Sequence, residues 1–250
     1  MKGLQVNIMT GRKCVELLGL LIGWYIIADI LYGLHIGAIA SILSVLNLGA
    51  LFWIYAKRKH LDLSFLNNTK NWKKRVSEVI VSYGWIEIIR IIVILGIGLF
   101  FLFSHMLDTI MEEYIDEEVV VNLNVMLAFN QILLTPIVEE FVFRGVLYDT
   151  LTLSTRRKTM LVNAFIFGFL HFSLNGFFQA FLLGIAAYKL REKNQDIYSG
   201  IMLHMFANVM AVLTQLGSVD YVLWLVMGCS IIYFLYDLCK KKKDIALENV

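Results

Sequence analysis

Long apolar runs separated by short charged connections dominate this sequence, and one of them extends from residue 15 to residue 56. A hydrocarbon core about 30 Å thick is crossed by roughly 20 apolar residues in a helix. The run therefore predicts two membrane-spanning helices joined near residues 33–37. Hydrophobic residues make up 59% of the 250-residue chain and charged residues 17%, with a mean hydropathy of +0.71. Charged residues make up about a quarter of a typical soluble domain, so this composition excludes a soluble domain.

Six further apolar segments have the character of membrane helices. They are predicted at about 79–104, 124–150, 159–174, 177–190, 198–215 and 220–238. Together with the first run they predict an all-α fold, a polytopic transmembrane helical bundle of about eight spans. The segments 159–174 and 177–190 are short, so a tight hairpin or shortened helices at this point would lower the number of spans.

Basic residues cluster in every second connection between these segments. The clusters lie at 12–13, 57–59, 70–75, 156–158, 189–193 and 240–243. The alternate connections at 108–118, 173–176 and 215–220 contain no lysine or arginine. Because short cytoplasmic loops carry the excess of basic residues, this alternation predicts a multi-pass protein of the cell membrane with both termini in the cytoplasm.

A few ionisable residues interrupt the apolar segments, most densely in "LLTPIVEEFVFRGVLY" at 133–148. Such a side chain near the bilayer centre costs about 2.5–3.5 kcal/mol on insertion scales and usually faces a bundle interior. Glu140 and Arg144 are four residues apart with the acid first, the favourable order for an ion pair on one helix face. Glu139 points about 100° away around the helix axis. It lacks that partner and is left available for chemistry.

Two more helices carry polar side chains at helical spacing. His204 and Asn208 are four residues apart, as are Phe167 and His171. The three helices can therefore present one carboxylate, two imidazoles and one amide to a shared cavity. Pro136 removes a backbone hydrogen bond and can kink its helix next to that cavity. Two glycines permit close helix approach: Gly145 and Gly168.

These residues form three ordered motifs. "EEFVFR" (139–144), "FGFLH" (167–171) and "HMFAN" (204–208) resemble E-E-x-x-x-R, F-x-x-x-H and H-x-x-x-N/D of the CAAX-protease and bacteriocin-processing family, also called type II CAAX prenyl endopeptidases or Abi proteins. The resemblance extends over about 124–212, and the first three spans show none. It implies an N-terminal transmembrane region at 1–122, a catalytic core at 123–215, and a final span with a basic cytoplasmic tail at 216–250.

The resemblance implies an intramembrane endopeptidase. Eukaryotic and archaeal members of the family remove the last three residues of prenylated proteins, and bacterial members are linked to bacteriocin maturation, self-immunity and abortive infection. The motif positions imply these roles: Glu139 activates water, His171 helps to hold it, His204 and Asn208 donate to the oxyanion, and Glu140 and Arg144 complete the first motif. We expect a membrane-embedded peptide or protein substrate, contact with the lipid bilayer, and no nucleic acid.

Metal dependence and rival functions stay open at this point. Two histidines and a glutamate can ligate zinc, but the sequence has no H-E-x-x-H, Arg144 would lie near a dication, and asparagine is a poor zinc ligand. These points favour a metal-free glutamate mechanism with no cofactor. The alternatives are a proton-coupled transporter and a non-catalytic scaffold or immunity protein. A transporter would favour inverted repeats, and we see no internal repeat.

Overall fold

The computed structural model describes residues 11–67, 72–104, 124–151, 153–215 and 220–248, and within these ranges all regular elements are helices. The all-α prediction is confirmed. The first three helices are α1 (Gly11–Gly33), α2 (Ala38–Arg58) and α3 (Trp72–Ser104). They match the predicted first run and third span. The acidic connection at 108–118, on which part of the predicted orientation depends, lies outside the described residues.

The fourth helix, α4 (Val125–Thr150), is not regular along its length. Its turns are π-helical at Asn130–Leu134 and Phe141–Val146, and α-helical at Val125–Phe129, Thr135–Glu140 and Leu147–Thr150. Four helices follow: α5 (Arg156–Phe169), α6 (Leu174–Asn194), α7 (Tyr198–Gln215) and α8 (Asp220–Glu248).

Four of the described helices are long and apolar enough to cross a membrane, and the protein is a helical membrane protein. These segments are Val15–Gly33, Ala38–Arg58, Trp72–Gly96 and Val125–Thr150. The prediction of about eight spans is therefore not confirmed. The shortfall includes α5, whose 14 residues give a rod of about 21 Å at 1.5 Å per residue. That length is below the roughly 30 Å of the hydrocarbon core.

Helices α5 and α6 form a tight antiparallel pair joined by the turn at 170–173. The Thr155 hydroxyl caps the start of α5, and the Ser173 hydroxyl accepts a bond from the Gly176 N–H at 3.1 Å at the start of α6. A Cβ atom on Gly168 would lie 2.9 Å from the Phe177 carbonyl oxygen. Only glycine allows this approach. The predicted role of Gly168 in helix packing is confirmed.

The described residues group into two compact units, those within 1–79 and 124–210 and those within 80–123 and 211–250. In the first unit, a buried ion pair joins Arg75 at the start of α3 to Asp196 between α6 and α7. Glu78 receives the Lys193 ammonium at 2.9 Å and the Asn194 amide at 2.7 Å. These bonds fix the start of α3 against the α6–α7 connection. The three-part division of the chain predicted from the sequence stays a prediction.

In the second unit, α3 and α8 touch through their backbones. A Cβ atom on Gly84 would collide with the Ser230 carbonyl oxygen. Near this contact the Arg90 guanidinium lies 2.8 Å from the Glu87 carboxylate and donates to the Met227 sulfur at 3.7 Å. Glu87 and Arg90 are three residues apart on α3, so the two charges neutralise each other on one helix face.

Candidate active site

The first π-helical turn of α4 releases a backbone carbonyl. The Thr135 N–H donates to Asn130, five residues back, instead of to Gln131, four residues back. The next residue is Pro136, which has no N–H to donate. The Gln131 carbonyl therefore loses its helical donors, and the Asn208 carboxamide of α7 donates to it at 2.6 Å. Pro136 thus removes a backbone hydrogen-bond donor, as predicted. The Asn208 side chain of a second helix takes the place of that donor.

The buried pair predicted from the first motif is present. The Arg144 Nη1 atom lies 3.0 Å from Glu140 Oε1, and both side chains are fully buried. The Arg144 guanidinium also lies over the ring of Phe167 on α5, 4.4 Å from its centroid. Because a buried charge is tolerated only when it is paired, each side chain of this pair requires the other.

Gly200 provides the space for the Glu140 carboxylate. A Cβ atom on this α7 residue would lie 2.6 Å from Glu140 Oε2. Gly200, His204 and Asn208 follow each other at intervals of four residues, so they lie along one face of α7. All three contact α4 or its side chains. This face of α7 therefore carries the third motif against the first.

Glu139 and His204 face each other. The His204 Nε2 atom lies 3.8 Å from Glu139 Oε2, while its Nδ1 atom lies 3.3 Å from Glu140 Oε1. The imidazole is almost fully buried, whereas the Glu139 side chain is 20% exposed. Glu140 is fully buried and paired with Arg144, so Glu139 is the one of the two glutamates with a partly exposed side chain. The role of general base stays a prediction for Glu139.

His171 lies at the end of α5, where its tautomer can be assigned from its backbone contact. Its Nδ1 atom is 3.0 Å from the Phe167 carbonyl oxygen. A carbonyl only accepts, so Nδ1 carries the proton and Nε2 presents a lone pair. Among the described residues no ion pair joins His171 to Glu139, whose nearest imidazole partner is His204. The next residue, Phe172, has a φ of 49°, a strained conformation often found beside functional sites.

The Phe167 ring connects the three motifs. It packs edge-on against His171 at 5.2 Å and against His204 at 5.6 Å between ring centroids, and its face lies against the Arg144 guanidinium. The phenylalanine of F-x-x-x-H therefore fixes two imidazoles and one cation. The contacts of the Phe167 ring with Arg144 and His204 could not be predicted from its position in the motif.

Two further residues escaped the sequence analysis. Asn163 on α5 is fully buried, and its carboxamide donates to the Phe143 carbonyl at 2.9 Å. Arg191 on α6 donates to the Arg144 carbonyl at 3.0 Å. Both bonds reach the second π-helical turn. The available signal was an asparagine within the otherwise apolar segment of α5 at four residues before Phe167.

A zinc site does not fit this arrangement of side chains. Among the described residues, no group of three or more histidine, cysteine, aspartate and glutamate side chains is placed to hold a metal ion. Glu139 and His204 come together, but the Glu140 side of the site is occupied by Arg144. The Arg144 guanidinium, 3.0 Å from the Glu140 carboxylate, disfavours the binding of a divalent cation beside it.

A comparison with protein-family models finds a match in the part of the chain that contains this site. Residues 121–210 match the model described as "Type II CAAX prenyl endopeptidase Rce1-like". The family prediction is confirmed for this segment. The Rce1-like segment contains all three motifs and the geometry described above. The comparisons with curated proteins and with solved structures gave no match.

Proposed function

We propose that the protein is an intramembrane endopeptidase that hydrolyses peptide bonds in membrane-associated peptides or proteins. The observation that carries this proposal is the partly exposed Glu139 side chain, which faces His204 beside a neutralised Glu140–Arg144 pair, in a segment that matches the CAAX prenyl endopeptidase model. A desolvated carboxylate with no permanent cationic partner is suited to serve as a general base.

The reaction begins with a water molecule between Glu139 and His171. Glu139 takes a proton from this water, and the His171 Nε2 lone pair accepts its other hydrogen. The water oxygen attacks the scissile carbonyl carbon, and the oxyanion that forms receives hydrogen bonds from His204 and from the second N–H of the Asn208 amide. Glu139 then returns its proton to the leaving amine, which breaks the C–N bond and restores the site. Each hydrogen-bond donor to the oxyanion stabilises the transition state by a few kcal/mol.

The orientation and the biological setting are part of the proposal. The basic clusters at 57–59, 156–158 and 189–193 support a site that opens towards the cytoplasm, with both termini on that side. The family resemblance supports a bacterial role in the processing of bacteriocins or other peptides, or in self-immunity. The substrate is a membrane-embedded peptide or protein, and the protein acts within the lipid bilayer.

Cleavage of membrane-embedded reporter peptides by purified protein in liposomes tests the proposal, with and without a prenylated cysteine on the peptide. Glu139→Gln keeps the shape of the side chain and removes the base, so we expect the rate to fall by about 10²–10⁴. Glu16→Gln is the matched control, because Glu16 pairs with Lys59 near the end of α2 at 2.7 Å. It should cleave at the wild-type rate.

Cleavage by Glu139→Gln at the wild-type rate would refute the assignment of the base. A chelator should leave the wild-type rate unchanged. If chelation abolishes cleavage and added zinc restores it, the metal-free mechanism is wrong, but the protease assignment stands. Proton uptake by the liposomes without cleavage of any peptide would favour the transporter instead.

A further inference from the structure

The second π-helical turn of α4 changes the backbone bonding next to the buried ion pair. The Leu147 N–H donates to Val142, five residues back, and not to Phe143, four residues back. The Phe143 carbonyl therefore loses its α-helical donor. An unpaired carbonyl in a buried position costs about 1–3 kcal/mol. The carboxamide of Asn163, on a different helix, donates to this carbonyl at 2.9 Å.

Asn163 is placed where this bond affects the catalytic groups. Phe143 immediately precedes Arg144, and Asn163 lies one helical turn before Phe167, whose ring covers the Arg144 guanidinium at 4.4 Å. A single bond thus fixes the π-helical turn and the helix that carries Phe167 relative to each other. The same turn is held from α6, where Arg191 donates to the Arg144 carbonyl.

Only the NH₂ group of the Asn163 amide is hydrogen-bonded among the described residues. Its Nδ2 group donates to Phe143, but its buried Oδ1 atom has no hydrogen-bond partner among the described residues. A buried acceptor without a partner lowers stability, so leucine of similar size would remove this penalty but would add one of the same kind at the Phe143 carbonyl. Because the two changes offset each other, stability alone explains the amide poorly. Its donor function at Phe143 supplies an explanation.

We propose that Asn163 is a positioning residue for the reaction at Glu139: its bond to the Phe143 carbonyl holds the π-helical turn that places Arg144 against Glu140, the carboxylate that lies beside His204. The inference rests on the proposed function. Without the bond, the turn gains an alternative in which Leu147 donates to Phe143, an α-helical pattern that rotates the following residues around the helix axis. A displacement of about 1 Å at a catalytic group costs about 10²-fold in rate.

Asn163→Leu is the main test, measured in three ways on the purified full chain. We expect kcat to fall about 10- to 100-fold with KM within twofold, a melting temperature close to the wild-type value, and faster amide hydrogen exchange in 141–150. Exchange in 198–210 should be unchanged. The combination of a lower kcat with near-wild-type thermal stability separates positioning from a structural contribution.

Asn47→Leu is the matched control. Asn47 also lies in an apolar helix, and its Nδ2 atom is buried without a hydrogen-bond partner in the described part of the chain. The same chemical change there should leave kcat and exchange in 141–150 unaltered. Asn163→Ala is a second variant without the donor, for the case in which leucine does not fit.

A wild-type kcat in either Asn163 variant, or unchanged exchange in 141–150, would overturn the inference. So would failure of both variants to fold while Asn47→Leu folds, because Asn163 would then be a folding residue. If the wild-type protein cleaves no peptide, the proposed function fails separately. The exchange comparison then decides by itself whether Asn163 holds the turn.

Discussion

Replacement of Arg144 by methionine tests the energetic basis of the site. The Arg144–Glu140 pair is fully buried with 3.0 Å between its charged atoms, so its removal leaves a carboxylate without its cationic partner. Breaking such a pair costs about 3–5 kcal/mol. Loss of the contact between the guanidinium and the Phe167 ring, 4.4 Å apart, adds about 0.5–2 kcal/mol.

The neighbouring imidazole reduces this cost. His204 Nδ1 lies 3.3 Å from the same Glu140 oxygen and can donate to it, so we expect a net loss near 3 kcal/mol. At 1.4 kcal/mol per factor of ten, this corresponds to about a 10²-fold change in the ratio of folded to unfolded protein. Reversible unfolding by detergent titration, followed by circular dichroism, measures the loss.

A double-mutant cycle makes the test specific for the pair. Glu140→Gln combined with Arg144→Met removes both charges, and replacement of a buried ion pair by neutral residues is often neutral or stabilising. The double variant should therefore recover most of the stability lost in Arg144→Met. Equal stability of Arg144→Met and wild type, or a double variant no more stable than the single one, would refute the reasoning.

Two further predictions concern α7 and the membrane orientation. Gly200→Ala should lower stability by about 1–3 kcal/mol and also lower the cleavage rate, because its Cβ atom would lie 2.6 Å from Glu140 Oε2. The control Gly19→Ala, with open space at the Cβ position, should be neutral or stabilising, and equal behaviour of the two variants would contradict the prediction. Reporter fusions after Lys74 and Lys243 should report the cytoplasm and a fusion within 108–118 the outside, and an external signal at either lysine would overturn the orientation.

The sequence predicted the pairings that depend on helical spacing. Glu140 and Arg144 pair as their interval of four residues indicated, and the Glu139 side chain is left partly exposed beside His204. This works because an α-helix and a mixed α/π-helix bring residues four apart to similar distances. At Gly145 the close contact is not with another helix, as predicted, but with the ring of Phe65 in the connection between α2 and α3, 2.7 Å from the position of a Cβ atom.

The missed features depend on tertiary contacts. The π-helical turns were not predicted because an extra residue in a turn leaves no mark in composition or hydropathy. They persist where side chains from other helices satisfy the released carbonyls, as Asn163 and Asn208 do. The predicted number of spans is not confirmed, in part because apolar composition continues beyond the end of α5 at residue 169, where the chain turns back through Phe172.

The bond between Asn208 and Gln131 makes two distant positions of the chain interdependent. Pro136 supplies no N–H, and Asn208 supplies the missing hydrogen. An ordinary residue at 136 would bring a second donor that competes for the same carbonyl, whereas a residue without a donor at 208 would leave the carbonyl unbonded. Substitution at either position changes the requirement at the other. For protein engineering, Pro136 and Asn208 are therefore a single unit, to be exchanged together or left alone.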